Sequence, residues 1–166
     1  MTLDWLPAEM RPLVEKVTEA QRVAATLWAE ARSEKVEGII AIANVIRNRV
    51  KADLKDDGKP DWWGEGYSGV CLAPHQFSCW TPRGGDANYK RLLGLMQQFA
   101  AGTPITEPAA RECIGLAHLV IGNYLRDNTK GSTHYHTAAL MPRPSWTKGQ
   151  APIVQIGRHV FYRDVP

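Results

Sequence analysis

Val36-Glu37-Gly38-Ile39-Ile40-Ala41-Ile42-Ala43-Asn44-Val45-Ile46-Arg47-Asn48-Arg49-Val50 is apolar through Ile39, Ile42, Ala43, Ile46 and Val50. Those positions recur at the three- and four-residue intervals of one helical face. A helix this apolar belongs at the centre of a core, so the stretch points to a mainly helical fold. Asn44 and Asn48 lie one turn apart near the buried surface and need hydrogen-bond partners. Two readings stand for them: binding the backbone of a loop, or lining a cleft.

Upstream, past a break near Ser33 and Glu34, the residues Leu13, Val17, Ala20, Ala24, Leu27, Trp28 and Ala31 form the stripe of another helix. This helix is expected to run unbroken to about Arg32, with Pro12 in its first turn. Chemistry gathers at its end, in Thr26-Leu27-Trp28-Ala29-Glu30-Ala31-Arg32-Ser33-Glu34. At about 100° per residue, Glu30 falls on the flank of the apolar stripe, beyond Val23 and Thr26. A carboxyl group there is partly desolvated, which raises its pKa and lets it donate a proton near neutral pH, as cleavage of a glycosidic bond requires. Glu34 would share that face if the helix continued. The plain alternative is that Glu30 and Glu34 decorate a helix end with Arg32.

Downstream, Lys51 to Gly69 reads as a long loop carrying Trp62, Trp63 and Tyr67, which either meet a ligand or fold back on the core. Val70 to Trp80 is expected to be extended, with Gln76 and Ser78 facing a ligand. Asp86 to Ala101 is a third helix, burying Tyr89, Leu92, Leu93, Met96 and Phe99. Pro108 to Arg126 is a fourth, burying Cys113, Ile114, Ala117, Val120, Ile121 and Leu125, with His118 read as packing. Ser132 to Thr137 alternates like a strand and puts His134 and His136 on one side. Two histidines begin a metal site, but zinc needs a third protein ligand that the spacing does not supply. After a proline-rich loop around Pro142 to Trp146, Ile153 to Tyr162 reads as a terminal hairpin or bent strand around Gly157. The class is α+β, mainly α, with a small β hairpin near the C-terminus.

The chain has 166 residues, 44% of them hydrophobic, enough for one domain spanning 1–166 with a real core. A net charge of +3 favours an anionic polymer but lacks the clustering of a nucleic-acid binder, so no nucleic-acid partner is expected. Cys71, Cys79 and Cys113 are an odd number without a C-x-x-C pair, which reads as reduced, buried thiols; a Cys71–Cys79 bridge stays open. Met1 to Arg11 shows no basic segment leading into an apolar core, and no membrane span follows. Synthesis in the cytoplasm is therefore expected, without stable membrane insertion.

Trp28 to Glu34, then Glu37-Gly38, then Ala41 to Val50 resemble the signature of the cell-wall hydrolase family typified by the spore-cortex-lytic SleB and CwlJ enzymes. Gln76-Phe77-Ser78, Thr133-His134-Tyr135-His136, Trp146 and Gln155 to Phe161 resemble later blocks of that family, in the same order. The likeness runs over roughly residues 22 to 162. It departs in two places: Ala29 and Ser33 stand where the family usually shows glycine, and the aromatic loop 52–69 looks like an insertion.

The resemblance implies a lysozyme-like fold acting on peptidoglycan glycan strands without a metal or other cofactor, with Glu30 at the position of the catalytic acid. In related lytic transglycosylases one glutamate protonates the glycosidic oxygen and then deprotonates a muramic acid hydroxyl, leaving a 1,6-anhydro product. Hydrolysis, which needs a second carboxylate, stays open. Glu34, Arg32, Gln76, Ser78, His134, Tyr135, His136 and Trp146 are the expected substrate-binding residues. Trp62, Trp63, Tyr67, Trp80, Tyr135 and Trp146 offer faces for sugar rings. The expected role is that of a monomeric bacteriophage endolysin, made in the host cytoplasm and released through a holin to the wall. A zinc amidase using His134 and His136, and a non-catalytic wall-binding module, rank below glycan cleavage.

Overall fold

The computed structural model describes residues 3–52, 63–82 and 86–165. The expected first helix is two: α1 (Arg11–Lys16) and α2 (Glu19–Ala31). The break has a local cause. Thr18 is extended and closes a capping box, accepting from the Gln21 amide while the Gln21 side chain accepts from the Thr18 amide. The T-x-x-Q spacing carries that signal in the sequence, beneath an apolar period that runs straight through it. Pro12 lies in the first turn of α1, as expected.

The central helix, α3 (Val36–Lys51), buries Ile39, Ile42, Val45 and Ile46 completely or nearly so. It carries Glu37 in its first turn and Arg49 and Lys51 in its last, the arrangement its dipole favours. Truncating Ile42 to alanine would cost about 2–5 kcal/mol, the range for a fully buried aliphatic side chain.

Part of the expected long loop is helical, α4 (Gly66–Cys71), and the segment that follows is not extended but a run of turns ending in a short 3-10 helix, Ser78–Trp80. Trp62 lies outside the described residues. Trp63 and Trp80 are buried in the core, and the Tyr67 hydroxyl donates to the Val120 carbonyl at 2.8 Å. Trp63 and Trp80 are not sugar platforms, since their rings found apolar surroundings inside the protein, while Tyr67 is half-buried and packs against the core.

Asp86 caps α5 (Ala87–Ala101), whose buried face is Tyr89, Leu92, Leu95, Met96 and Phe99; Leu93 is only partly covered. The fourth expected helix, α6 (Pro108–Ile121), stops at Gly122, short of Arg126. His118 is exposed rather than packed. The α2 helix packs against α3, α4, α5 and α6 and so runs through the middle of the assembly. Among the described residues, no helix is long and apolar enough to cross a membrane.

The expected hairpin forms from β2 (Val154–Ile156) and β3 (His159–Tyr162), closed by Gly157 and Arg158. Gly157 has φ 56°, the left-handed value that tight hairpin turns demand. The strand β1 (His134–Thr137) pairs antiparallel with β3, giving a three-stranded sheet ordered β1-β3-β2 with Tyr135 opposite Phe161. Cys71, Cys79 and Cys113 are all buried and free, so no Cys71–Cys79 bridge forms.

Candidate active site

The polar face of α3 sets where β1 begins. The Asn44 amide donates to the Arg126 carbonyl at 3.0 Å, and the Asn48 amide donates to Asp127 at 3.1 Å and to the Ser132 carbonyl at 3.0 Å. Asp127 accepts in turn from the Thr129 amide, the Thr129 hydroxyl and the Gly131 amide. Both asparagines bind this loop, and Asn48 also lines a separate groove beside Trp63 and Thr133. The loop from 125 to 133 is thereby clamped to the central helix, and it delivers β1 to the end of α2.

At that meeting point lies a cleft of about 400 Å³. Glu30 enters it from the last turn of α2, and the Tyr135 hydroxyl donates to Glu30 Oε2 at 3.1 Å. Burial raises the Glu30 pKa above the ordinary carboxyl value. The Tyr135 hydroxyl, the Cys79 thiol and amide and the Arg49 charge pull it back without reversing the direction. Burial also pushes the Cys79 thiol and the Tyr135 hydroxyl well up, so both are protonated donors toward Glu30. The result is a partly accessible carboxyl group that holds its proton more tightly than a free glutamic acid yet has donors in place for its anion.

Glu30, Gln76, Ser78, Tyr135, His136 and Trp146 all line this cleft, so most of the residues expected from sequence meet in one place. His134 does not line it, although it shares a strand face with His136: it packs between Trp63 and Trp146, with ring centroids 5.9 and 5.2 Å away. Desolvation lowers its pKa to about 4, which leaves it neutral near pH 7. His136 does reach the cleft. Its Nδ1 pairs with the Thr137 carbonyl and its Nε2 with the Tyr162 hydroxyl. Those contacts occupy the ring nitrogens that a metal site would need.

Arg32 and Glu34 also stand apart from the cleft lining. The Arg32 guanidinium lies 4.6 Å over the Trp28 ring, donates to Asn88, and opens onto a separate groove with Arg91 and Gln98. Glu34 turns toward the hairpin, where it accepts from Arg158 Nε at 2.6 Å and from the Arg158 amide at 3.3 Å. Burial raises the Glu34 pKa, but the Arg158 contacts outweigh it and the net direction is down. A Cβ on Gly157 would fall 2.2 Å from Glu34 Oε2, so the hairpin turn is shaped around this carboxylate. Glu34 therefore ties the α2–α3 junction to the sheet.

Sequence reasoning missed Arg49, Asn88, Thr137 and His159 in the cleft lining. Arg49 and His159 are buried, and burial is not visible in a lone charged or aromatic letter. The one available signal was position: Arg49 follows Asn48 on a helix already read as central.

A family model described as Cell Wall Hydrolase matches residues 33–162, a span that begins three residues after Glu30. Among solved structures the chain is similar to the catalytic domain of the Bacillus cereus SleB protein. Identity is 21%, with 87% of this chain and 89% of that one covered at a TM-score of 0.57. It is similar also to the catalytic domain of a germination-specific lytic transglycosylase, SleB from Bacillus anthracis. Identity there is 22%, with 87% and 93% covered at a TM-score of 0.57. At these identities the two structures establish a shared fold, which is lysozyme-like. No curated protein matches the chain. With most of its length under the family model, the chain belongs to the cell wall hydrolase family of peptidoglycan-cleaving enzymes.

Proposed function

We propose that the protein cleaves the glycosidic bond between N-acetylmuramic acid and N-acetylglucosamine as a lytic transglycosylase, with Glu30 as both acid and base. One observation carries this reading: Glu30 is the only carboxylate among the described residues lining the cleft. A hydrolytic glycosidase ordinarily needs a second carboxylate, about 5–5.5 Å away for retention or about 6.5–9.5 Å for inversion. The nearest candidate in sequence, Glu34, is committed to the side chain and amide of Arg158.

A single carboxyl group suffices when the sugar supplies its own nucleophile. In this reading the protonated form of Glu30, which its raised pKa favours, donates to the bridging oxygen as the bond from C1 breaks. The muramic acid C6 hydroxyl then attacks C1, and its proton returns to Glu30. The enzyme ends with the proton it began with, and no water is consumed. Gln76, Ser78, Asn88 and Thr137 supply polar contacts for sugar hydroxyl and acetamido groups, and Trp146 supplies an apolar face.

Digestion of purified sacculi with wild type, Glu30→Gln and EDTA-treated enzyme tests this. Soluble muropeptides should appear with wild type, persist with EDTA and vanish with Glu30→Gln. Freed peptide stems sensitive to EDTA would instead mean amidase chemistry. A bacteriophage endolysin role, with holin-dependent release of a monomer made in the host cytoplasm, goes with this activity and is tested separately. Cells expressing the protein should lyse only when a holin or another membrane-permeabilising agent is supplied.

A further inference from the structure

Arg49 is the only lysine or arginine among the described residues lining the cleft, and its surroundings are unusual for a cation. It comes from the last turn of α3 and is 6% exposed. Its Nε donates to the Thr133 carbonyl at 2.7 Å, and its guanidinium lies 5.4 Å from the Phe77 ring and 6.0 Å from the Trp63 ring. The Nη1 nitrogen is buried with no hydrogen-bond partner, and among the described residues Arg49 forms no ion pair. Burying a charge with no paired carboxylate is costly. An apolar side chain would fill the same space without that cost, so the charge itself needs a reason.

We propose that Arg49 is a positioning residue for proton transfer: a fixed cation, held by the Thr133 carbonyl and two aromatic faces, that stabilises Glu30 while it is ionised between giving up its proton and regaining it. The inference rests on Glu30 being the acid and base. In the first transfer the C1–O bond breaks, the leaving oxygen takes the proton, and Glu30 becomes an anion in a site where burial opposes negative charge. In the second the C6 hydroxyl oxygen bonds to C1, and its proton goes to Glu30. The same group must therefore be a competent acid and then a competent base.

A direct Arg–carboxylate pair would hold the anion too firmly and leave a weak acid that is always ionised. With no cation, the anion would be too costly to form. Arg49 occupies the middle position: it makes no ion pair with Glu30, yet its charge favours the Glu30 anion, and although burial lowers the Arg49 pKa on balance, the Glu30 anion favours the Arg49 cation in return. The other titratable groups at the site are Tyr135 and His136 from β1, Cys79 from the 3-10 helix, His159 from β3 and His75. Tyr135 and Cys79 are neutral donors, and burial lowers the His159 pKa toward its neutral form. Among these groups a guanidinium alone keeps its charge at every working pH.

The test is the pH dependence of kcat and KM on soluble glycan strands for wild type, Arg49→Lys and Arg49→Met, with Glu30→Gln as reference. Circular dichroism and sedimentation with sacculi check fold and binding. Activity that needs protonated Glu30 falls on the alkaline side. Removing the cation makes Glu30 hold its proton more tightly, so Arg49→Met should move that alkaline limb to higher pH. It should also lower kcat about ten- to a hundredfold with KM nearly unchanged. Arg49→Lys should keep the limb at the wild-type position. If Arg49→Met folds poorly, Arg49→Gln, which retains a donor for the Thr133 carbonyl, makes the same comparison. A limb that does not move in either neutral variant, or that moves equally in Arg49→Lys, would overturn the inference while leaving Glu30 in place. Full activity of Glu30→Gln would remove the acid–base reading itself.

Discussion

Asn48→Ala should loosen the clamp that aims β1 at the end of α2, and the cost can be worked from its contacts. The amide has two N–H groups and three acceptors: Asp127 Oδ2 at 3.1 Å, the Ser132 carbonyl at 3.0 Å and Thr129 Oγ1 at 3.3 Å. Two bonds are therefore the most it fully makes. One is to a carboxylate, about 1.5–3 kcal/mol, and one is to a neutral acceptor, about 1 kcal/mol. Alanine's better helix propensity returns roughly 0.5 kcal/mol. The net loss is about 2–3.5 kcal/mol, or roughly 4–14 °C in Tm for a chain of this length. Thermal unfolding followed by circular dichroism measures it.

The clamp has a pH signature too. Burial raises the Asp127 pKa, but bonds from Thr129, Gly131 and Asn48 outweigh it and hold the folded-state value below the ordinary one. A depressed carboxyl pKa contributes stability that is complete above the unfolded value of about 3.9 and is lost as pH falls through the folded value. Asn48→Ala removes one of those donors, so its deficit against wild type should be largest near neutral pH and shrink in acid. A stability within about 0.5 kcal/mol of wild type, or a deficit that grows in acid, would refute the clamp.

Three further outcomes follow from single contacts. Tyr135→Phe removes the 3.1 Å donor to Glu30; kcat should fall about 10- to 150-fold, the worth of one charge-assisted bond, and the alkaline limb of the pH–rate profile should move up. Gly157→Ala forces a side chain into a left-handed turn and against Glu34, so chemical denaturation should show a loss of about 1–3 kcal/mol. Glu34 has a lowered pKa, so its stabilisation is present above about pH 4.3 and lost in acid; Glu34→Gln should flatten the acid side of the stability–pH curve.

The long apolar periods of α3, α5 and α6 were legible because burial on one face writes itself into every third or fourth letter. The break at Thr18 was not, because the hydrophobic stripe of α2 is in phase with residues of α1 and only a capping box separates them. Within the candidate site, Glu30 could be read from its place on the flank of a stripe, and Gln76, Ser78, Tyr135, His136 and Trp146 from family-like blocks. Glu34 and His134 sit in the same blocks but face the hairpin and Trp63 instead. A block of letters does not record which way each side chain points. Arg49 shows the converse: a letter that reads as an ordinary helix-terminal cation becomes meaningful only once Phe77, Trp63 and Thr133 are seen around it.

The most direct test of a one-carboxylate transglycosylase is to digest sacculi in heavy-oxygen water and weigh the new muramyl ends by mass spectrometry. The expected products are 1,6-anhydro ends free of heavy oxygen, formed by wild type and absent with Glu30→Gln. Reducing muramic ends carrying heavy oxygen would show that water is the nucleophile and contradict that mechanism.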